Sequence, residues 1–250
     1  MSIEKLSKIF KKSDNIVFFG GAGISTESGI PDFRSETGLY KTDGDQEYPP
    51  EVMLSHTFFM GHTKDFFKFY KEKMIYIDAK PNSAHLALAK LEEMGKLKAI
   101  ITQNIDGLHQ AAGSKNVHEL HGSVHRNYCT KCHTFYDLNF ILKSKEIPEC
   151  TQCSATVKPD VVLYEESLDN DVISRAVSAI EYADVLIIGG TSLAVYPAAG
   201  LVNYFKGKNL ILINKSSTPY DSKTDLVIHD SLGKVLSEAL KWFNRYSFCN

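Results

Sequence analysis

Short apolar runs alternate with helical patterns along this chain, and the alternation restricts the fold more than any other feature of the sequence. Each run is a predicted strand, and the runs lie at residues 15–19, 98–102, 161–163, 185–188 and 210–213. Apolar residues at helical spacing lie between and beside them, at residues 3–12, 81–94, 171–182 and 232–243. Strands that are apolar on both faces and alternate with helices are typical of a parallel sheet covered by helices. The sequence therefore predicts an α/β fold built on a parallel sheet.

The length of the chain limits the number of domains, and its net charge disfavours several functions. A chain of 250 residues has room for one large domain, alone or with a smaller one. The formal net charge of −2 disfavours direct binding to nucleic acid or to a membrane surface. No run approaches the roughly 18 apolar residues of a membrane span, and the first residues lack the apolar core of a secretion signal. We therefore expect a cytoplasmic protein with neither a membrane nor a nucleic-acid partner.

Four of the five cysteines form a C-x2-C-x17-C-x2-C array. They are Cys129, Cys132, Cys150 and Cys153. This spacing is typical of a structural zinc site, in which four thiolates leave no open coordination position for chemistry. Disulfide bonds and a redox pair are the alternatives. Disulfides are disfavoured without a secretion signal, and a redox motif needs only one C-x-x-C pair. The cysteine segment interrupts the strand–helix alternation, which predicts a small inserted module.

Three predicted strands end in glycine-rich or polar sequence. Gly21-Ala22-Gly23 follows the first strand, residues 102–106 end the second, and Gly190-Thr191-Ser192 follows a later one. The carboxyl ends of parallel strands meet at one crevice, where ligands bind. Glycine lets backbone N–H groups approach a pyrophosphate closely. Thr26 replaces the third glycine of the usual dinucleotide fingerprint, so a plain tight turn remains an alternative for this segment alone.

Longer motifs occur around these strand ends in a specific order. They are GAGISTESGIPDFR at residues 21–34, TQNIDGLH at 102–109, HG at 121–122, the four cysteines, and GTSLAVYPAA at 190–199. This set closely resembles the sirtuins, a family of NAD-dependent protein deacylases, and the resemblance covers nearly the whole chain. It implies an NAD-binding Rossmann-type domain with a smaller domain made of a helical insertion and the zinc module.

The domain boundaries expected from this resemblance follow the motifs. The Rossmann-type domain would consist of residues 1–34, 80–122 and 160–250. The smaller domain would combine the helical insertion, residues 35–79, with the zinc module, residues 123–159. NAD and an acylated lysine would meet in the cleft between the two domains.

The resemblance also implies a reaction in which NAD is a co-substrate. Acetyl or other acyl groups would be removed from lysines of partner proteins, giving nicotinamide and O-acyl-ADP-ribose. In the family's mechanism the acyl oxygen attacks the ribose carbon that carries nicotinamide, and a histidine then deprotonates a ribose hydroxyl. His121 would be this base, because an imidazole with a pKa of about 6.5 can accept a proton near neutral pH.

The NAD contacts implied by the resemblance fall within the same motifs. They are Gly21, Ala22, Gly23 and Thr26 for the pyrophosphate, Phe33 and Arg34 for the loop over the anomeric carbon and phosphate, Gln103 for the nicotinamide ribose, Asn104, Ile105 and Asp106 for the nicotinamide pocket, Thr191 and Ser192 for phosphate and adenine-ribose groups, Asn214 for the adenosine ribose, and Asp230 for the adenine. His85 and His109 lie in motif-like segments and are expected to be structural.

A few positions depart from the family pattern. Gly20 replaces a threonine, and Glu165 replaces the glycine of a VVFFGE segment that would line the peptide groove. Tyr70 and Lys73 replace a Tyr-x-x-Arg pair that recognises acidic acyl groups, which predicts a preference for acetyl-lysine over succinyl-lysine. A solvated helix face is the alternative interpretation of this last pair.

Other functions could use the same pocket. A mono-ADP-ribosyltransferase would activate the same ribose carbon for a different nucleophile, and a non-enzymatic module would only sense NAD. A hydride-transfer dehydrogenase is a weaker third alternative.

Overall fold

The computed structural model describes residues 2–33, 38 and 48–245, with side chains up to residue 243. The helices of these residues are α1 (Ser2–Lys12), α2 (Pro50–Met53), α3 (His56–Gly61), α4 (Thr63–Lys73), α5 (Ser83–Glu93), α6 (Leu108–Ala111), α7 (Leu138–Lys143), α8 (Asn170–Tyr182) and α9 (Leu232–Arg245). The strands are β1 (Ile16–Gly20), β2 (Leu97–Thr102), β3 (Val117–Glu119), β4 (Gly122–Cys129), β5 (Phe135–Tyr136), β6 (Val157–Val161), β7 (Val185–Gly189), β8 (Asn209–Ile213) and β9 (Leu226–Ile228).

The larger sheet has six parallel strands in the order β3-β2-β1-β7-β8-β9. This order confirms the predicted Rossmann-type sheet, because the chain builds outward from β1 in one direction and then from β7 in the other. The strand order reverses between β1 and β7, and their carboxyl ends, Gly20 and Gly189, are directly paired. Such a reversal opens a crevice at the ends of the two strands, where dinucleotides bind.

Alternate residues of the central strand face opposite layers of helices. Ile16 and Phe18 of β1 pack in one core, whereas Val17 and Phe19 pack in another. The first core is closed by α1, α5 and α9, and the second by α8 and a 3₁₀ segment, Ala198–Tyr204. All four of these β1 side chains are fully buried, as expected for a central strand with helices on both faces.

The smaller domain has its own core. The helices α2, α3, α4 and α7 pack against an antiparallel sheet with the strand order β5-β4-β6. Phe66, Phe67 and Tyr70 of α4 are fully buried in this core. The sequence did not indicate α7 or β5. The apolar run at 161–163 contributes only its first residue to a strand, and that strand, β6, is antiparallel to β4 and lies outside the parallel sheet.

Within the part of the chain that the structure describes, every helix is too short or too polar to cross a membrane.

Candidate active site

A cleft of about 880 Å³ lies at the carboxyl ends of the parallel strands and extends to the smaller domain. It is lined by the cofactor and catalytic residues predicted from the sequence, namely Gly21, Ala22, Gly23, Thr26, Phe33, Gln103, Asn104, Ile105, Asp106, His121, Thr191, Ser192, Asn214 and Asp230. Arg34 lies outside the described residues. The fold thus brings together residues from six separated segments of the chain.

The turns after β1 and β7 contact each other through their backbones. The N–H of Gly23 donates a 2.8 Å hydrogen bond to the carbonyl of Gly190. A Cβ at Gly23 would lie 2.7 Å from the Gly190 Cα, so no side chain fits between the two turns. Thr26 closes the first turn, since its hydroxyl donates a 3.0 Å hydrogen bond to the Gly23 carbonyl. The backbone here carries no side chains and lies where the strand order of the sheet reverses. It fits a pyrophosphate, which requires the close approach of backbone N–H groups.

Ser25 links the glycine turn to the predicted nicotinamide pocket, and the sequence analysis had not selected it. Its hydroxyl donates a 2.6 Å hydrogen bond to Asp106 Oδ2 and accepts one of 3.0 Å from Asn104 Nδ2. The other Asp106 oxygen accepts from the N–H of Leu108 at 2.9 Å. The carboxylate is therefore fixed, yet it retains lone pairs that could accept from a ligand amide.

One ring nitrogen of His121 makes a hydrogen bond to the backbone, and the other can accept a proton. Nδ1 donates a 2.8 Å hydrogen bond to the carbonyl of Gln103, because a carbonyl oxygen can only accept. In the neutral ring the lone pair is then on Nε2, the form that a general base requires. Burial lowers the pKa of His121, and the hydrogen bond to Gln103 opposes this shift. The imidazole is therefore neutral, and able to accept a proton, over a wider pH range than an exposed histidine.

The backbone on both sides of His121 is tightly placed. Gly122 has a φ of 75° and pairs with Val161, and a Cβ there would overlap the carbonyl oxygen of Asp160. The carbonyl of His121 accepts a 3.0 Å hydrogen bond from the N–H of Val162. Glycine is required at position 122 by both the positive φ and the close approach.

Residues predicted for the ribose and adenine groups also line the cleft. The amide of Gln103 donates a 3.1 Å hydrogen bond to the Thr191 hydroxyl, which connects β2 to the turn after β7. Asn214 Nδ2 donates to the Ser216 carbonyl at 2.8 Å. Asp230 accepts from the Lys234 ammonium at 2.6 Å, and this pairing lowers the pKa of its carboxyl group.

The four array cysteines come together in the smaller domain, away from the cleft lining. Their sulfur atoms all lie within 4.8 Å of one another, with distances of 3.4 Å for Cys129–Cys153 and 3.5 Å for Cys132–Cys150. Four sulfurs at about 2.3 Å from one zinc ion would be about 3.8 Å apart, so this donor set fits tetrahedral zinc. The four cysteines are not joined by disulfides. Cys249 lies outside the described residues.

Two histidines lie in the packed interior, as expected for structural residues. His85 and His109 are buried, with ring centroids 4.8 Å apart, and His109 also contacts Phe18. His85 Nδ1 accepts a 3.3 Å hydrogen bond from the N–H of Asn82, as part of the cap of α5. Burial lowers the pKa of His85 to about 4 and that of His109 to about 3, so both rings are neutral at pH 7.

The departures from the family pattern have different structural settings. Glu165 has a φ of 74°, and its carboxylate accepts from Thr57 N at 2.9 Å and from Thr57 Oγ1 at 2.7 Å. It thereby connects the cleft wall to α3. Tyr70 is fully buried, so the interpretation of Tyr70 and Lys73 as one solvated helix face is wrong for the tyrosine. Lys73 lines the cleft.

The fold and cleft define a dinucleotide-binding protein of the Rossmann type that carries a zinc-binding smaller domain. Residues 21–197 match the sequence model of the Sir2 family, so the chain belongs to this family. An NAD-dependent protein deacetylase from Clostridium acetobutylicum is 67% identical over 239 residues, covering 95% of this chain and 98% of the relative. The corresponding protein from Clostridium tetani is 68% identical over 234 residues, covering 93% of this chain and 95% of the relative.

Solved structures of Sir2 proteins share the fold. One Sir2 enzyme structure superposes with a TM-score of 0.88 at 41% identity and covers 98% of each chain. A Sir2 homologue in complex with NAD gives a TM-score of 0.88 at 38% identity, covering 97% of this chain and 94% of the other. Another Sir2 structure, with a deacetylated p53 peptide and 3′-O-acetyl ADP-ribose, gives 0.88 at 38% identity, covering 96% and 98%.

Proposed function

We propose that this chain is an NAD-dependent protein deacetylase. One acetyl-lysine, one NAD and one water would be converted to free lysine, nicotinamide and O-acetyl-ADP-ribose. The observation that carries the proposal is the position of His121, whose Nδ1 is held by the Gln103 carbonyl in the same cleft as the Ser25–Asn104–Asp106 network. A fixed base and a polar pocket in one cleft are the parts that this reaction needs.

The glycine turn and the residues after β2 are assigned to NAD. The backbone of Gly21, Ala22 and Gly23 would hold the pyrophosphate, with Thr26 closing the turn. Phe33 would cover the anomeric carbon, and Arg34 would pair with phosphate. Asn104, Ile105 and Asp106 would enclose nicotinamide, with the Asp106 carboxylate accepting from its carboxamide N–H. Gln103, Thr191, Ser192, Asn214 and Asp230 would contact the two riboses, the phosphates and the adenine.

His121 is assigned as the base that acts after nicotinamide has left. Its Nε2 would take the proton of a ribose hydroxyl, and that oxygen would then attack the carbon that came from the acetyl group. The pKa of His121 is lowered by burial, so the base is unprotonated at neutral pH. A positioned base of this kind contributes about 10²- to 10⁴-fold to the rate.

Cys129, Cys132, Cys150 and Cys153 are assigned as ligands of one zinc ion, which would stabilise the smaller domain. That domain supplies part of the cleft wall, including Leu54, Lys73 and Val124. The substrates would be acetylated proteins in the cytoplasm, where thiols stay reduced and available to metal. We assign no membrane or nucleic-acid partner.

The test is incubation of the protein with NAD and acetyl-lysine or succinyl-lysine peptides, followed by mass spectrometry. We expect free lysine, nicotinamide and O-acetyl-ADP-ribose in equal amounts, with much lower turnover of the succinyl peptide. ADP-ribose attached to the peptide without loss of acetyl would instead indicate a mono-ADP-ribosyltransferase. NAD binding without nicotinamide release would indicate a sensing module.

A further inference from the structure

A bulge in β4 lies directly after the predicted catalytic histidine. Gly122 and Ser123 pair with Val161 and Asp160 of β6, and the pairing resumes only at Asn127 with Pro159. Residues 124–126 therefore have no counterpart on β6. Bulges next to active sites direct side chains and backbone groups away from the regular ladder.

The first two bulge residues contact the loop assigned to nicotinamide. The N–H of Val124 donates a 3.0 Å hydrogen bond to the carbonyl of Ile105. His125 Nε2 donates a 3.1 Å hydrogen bond to the carbonyl of Asp106, which as a carbonyl can only accept. Both the neutral Nε2–H form and the protonated form of this ring can make the bond.

The ring of His125 also covers the next residue of the loop. A Cβ at Gly107 would lie 2.7 Å from His125 Cδ2 and Nε2, so the ring packs against the Gly107 backbone. The loop is thus held on two sides. Its backbone is held by β4 of the smaller sheet, and the Asp106 carboxylate is held by Ser25 and by the N–H of Leu108.

We propose that His125 is a positioning residue of the nicotinamide pocket. Its Nε2–H fixes the Asp106 peptide group, and this fixes the direction in which the Ile105 and Asp106 side chains project. The inference rests on the proposed function, because it assigns this loop to nicotinamide. No sequence pattern distinguishes His125 from the other surface histidines, since the Asp106 carbonyl that it contacts is 19 residues away in the chain.

The experiment compares His125→Ala, His125→Gln and the control Gln110→Ala in the full-length protein. Glutamine retains a side-chain N–H donor, whereas alanine does not, and Gln110 is an exposed residue close to the same loop. Nicotinamide–NAD exchange and deacetylation are measured at saturating acetyl-peptide. The loss of one exposed hydrogen bond predicts that His125→Ala raises the KM for nicotinamide by about 2- to 10-fold.

The other variants and the KM for the peptide distinguish a positioning role of His125 from a general effect on protein stability. We expect His125→Gln to recover a KM close to the wild-type value, Gln110→Ala to match the wild type, and the peptide KM to stay unchanged in all three variants. An unchanged nicotinamide KM in His125→Ala, or no difference between His125→Gln and His125→Ala, would overturn the inference. Absence of any nicotinamide release by the wild type would instead overturn the proposed function.

Discussion

The Ser25 hydroxyl donates a 2.6 Å hydrogen bond to Asp106, a residue 81 positions further along the chain. The bond joins the turn after β1 to the loop after β2. Because Asn104 donates to the same hydroxyl, the three side chains form one polar unit that lines the cleft.

Asp106→Asn should impair the first step of the reaction. The amide offers only one acceptor oxygen, so it cannot accept from Ser25, from Leu108 N–H and from a ligand amide as the carboxylate can. We expect nicotinamide–NAD exchange and deacetylation to fall together, by about 10-fold or more, as expected for a lost charged hydrogen bond. Exchange kinetics with labelled nicotinamide measure this loss. Full exchange activity in the variant would contradict the role of Asp106.

His121→Ala should separate the two activities. The base acts after nicotinamide leaves, so we expect deacetylation to fall by about 10²- to 10⁴-fold while exchange is retained to a greater extent. The measurement is the ratio of the two rates in one preparation, with NAD and peptide binding verified. Loss of both activities in equal proportion would refute this division of labour.

The pH dependence of deacetylation should reflect the burial of His121. A base must be unprotonated, so kcat/KM falls as the pH drops through its pKa. Burial places that pKa below the ordinary value of 6.5. We therefore expect the midpoint of the acid limb of kcat/KM to lie below the ordinary histidine value of about 6.5. A midpoint of the acid limb above about 7 would be inconsistent with a buried neutral base.

The buried pair of His85 and His109 should make folding stability decrease in acid. The unfolded chain takes up protons below about pH 6.5, whereas the folded rings do so only near 4 and 3, so stability falls as the pH falls below 6.5. Each such histidine adds about 1.4 kcal/mol per pH unit to the slope of the free energy of unfolding against pH in this range. His109→Leu should remove the contribution of one histidine to this slope. The measurement is the free energy of unfolding in urea at several pH values between 6.5 and 5. Gln110→Ala, which changes an exposed residue that cannot titrate, is the control and should leave the slope unchanged.

Gly122→Ala should displace His121. The substitution combines a positive φ with overlap of the Asp160 carbonyl, and we expect a loss of more than about 2 kcal/mol of stability together with most of the deacetylation rate. Gly95→Ala is a matched control, because Gly95 has a φ of 71° but no atom within 4 Å of the added Cβ. It should show only the conformational cost, about 1–2 kcal/mol, with unchanged kcat. Equal effects of the two variants on kcat would disprove the displacement.

Removal of the metal should unfold the smaller domain. Cys150→Ala leaves three thiolates, and structural zinc sites stabilise their modules through the complete ligand set. We expect one zinc per chain in the wild type, and lower thermal stability and activity in the variant and after chelation. A metal-free preparation that remains folded and active would contradict the assignment.

The parallel sheet was predictable because its central strands are buried on both faces, so their sequences are continuous apolar runs. β3 and β9 were missed, since each has three residues and depends on pairing with a neighbouring strand. β6 was misplaced because Pro159 lies in the middle of its apolar–polar alternation, whereas the residues directly after it form a continuous apolar run. Its pairing with β4 is set by the packing of the smaller domain.

The site residues that lie in sequence motifs were predictable from those motifs. The zinc ligands were predictable from the spacing of the four cysteines. Ser25 was missed because a serine in a glycine-rich turn has many ordinary uses, and its partners are 79 and 81 residues away. His125 was missed for a similar reason, since its role depends on a bulge that forms only when β4 pairs with β6. Contacts of this kind arise from the folded chain and leave no local pattern.

Because the backbones of Gly23 and Gly190 are in contact, the two turns that contain them cannot be engineered independently. With a Cβ at Gly23 only 2.7 Å from the Gly190 Cα, neither turn can gain a side chain unless the other moves. Libraries that diversify these turns separately should therefore contain mostly inactive members. Altered preference for NAD analogues is better sought at Ser192 and Asn214, which line the same cleft away from this contact.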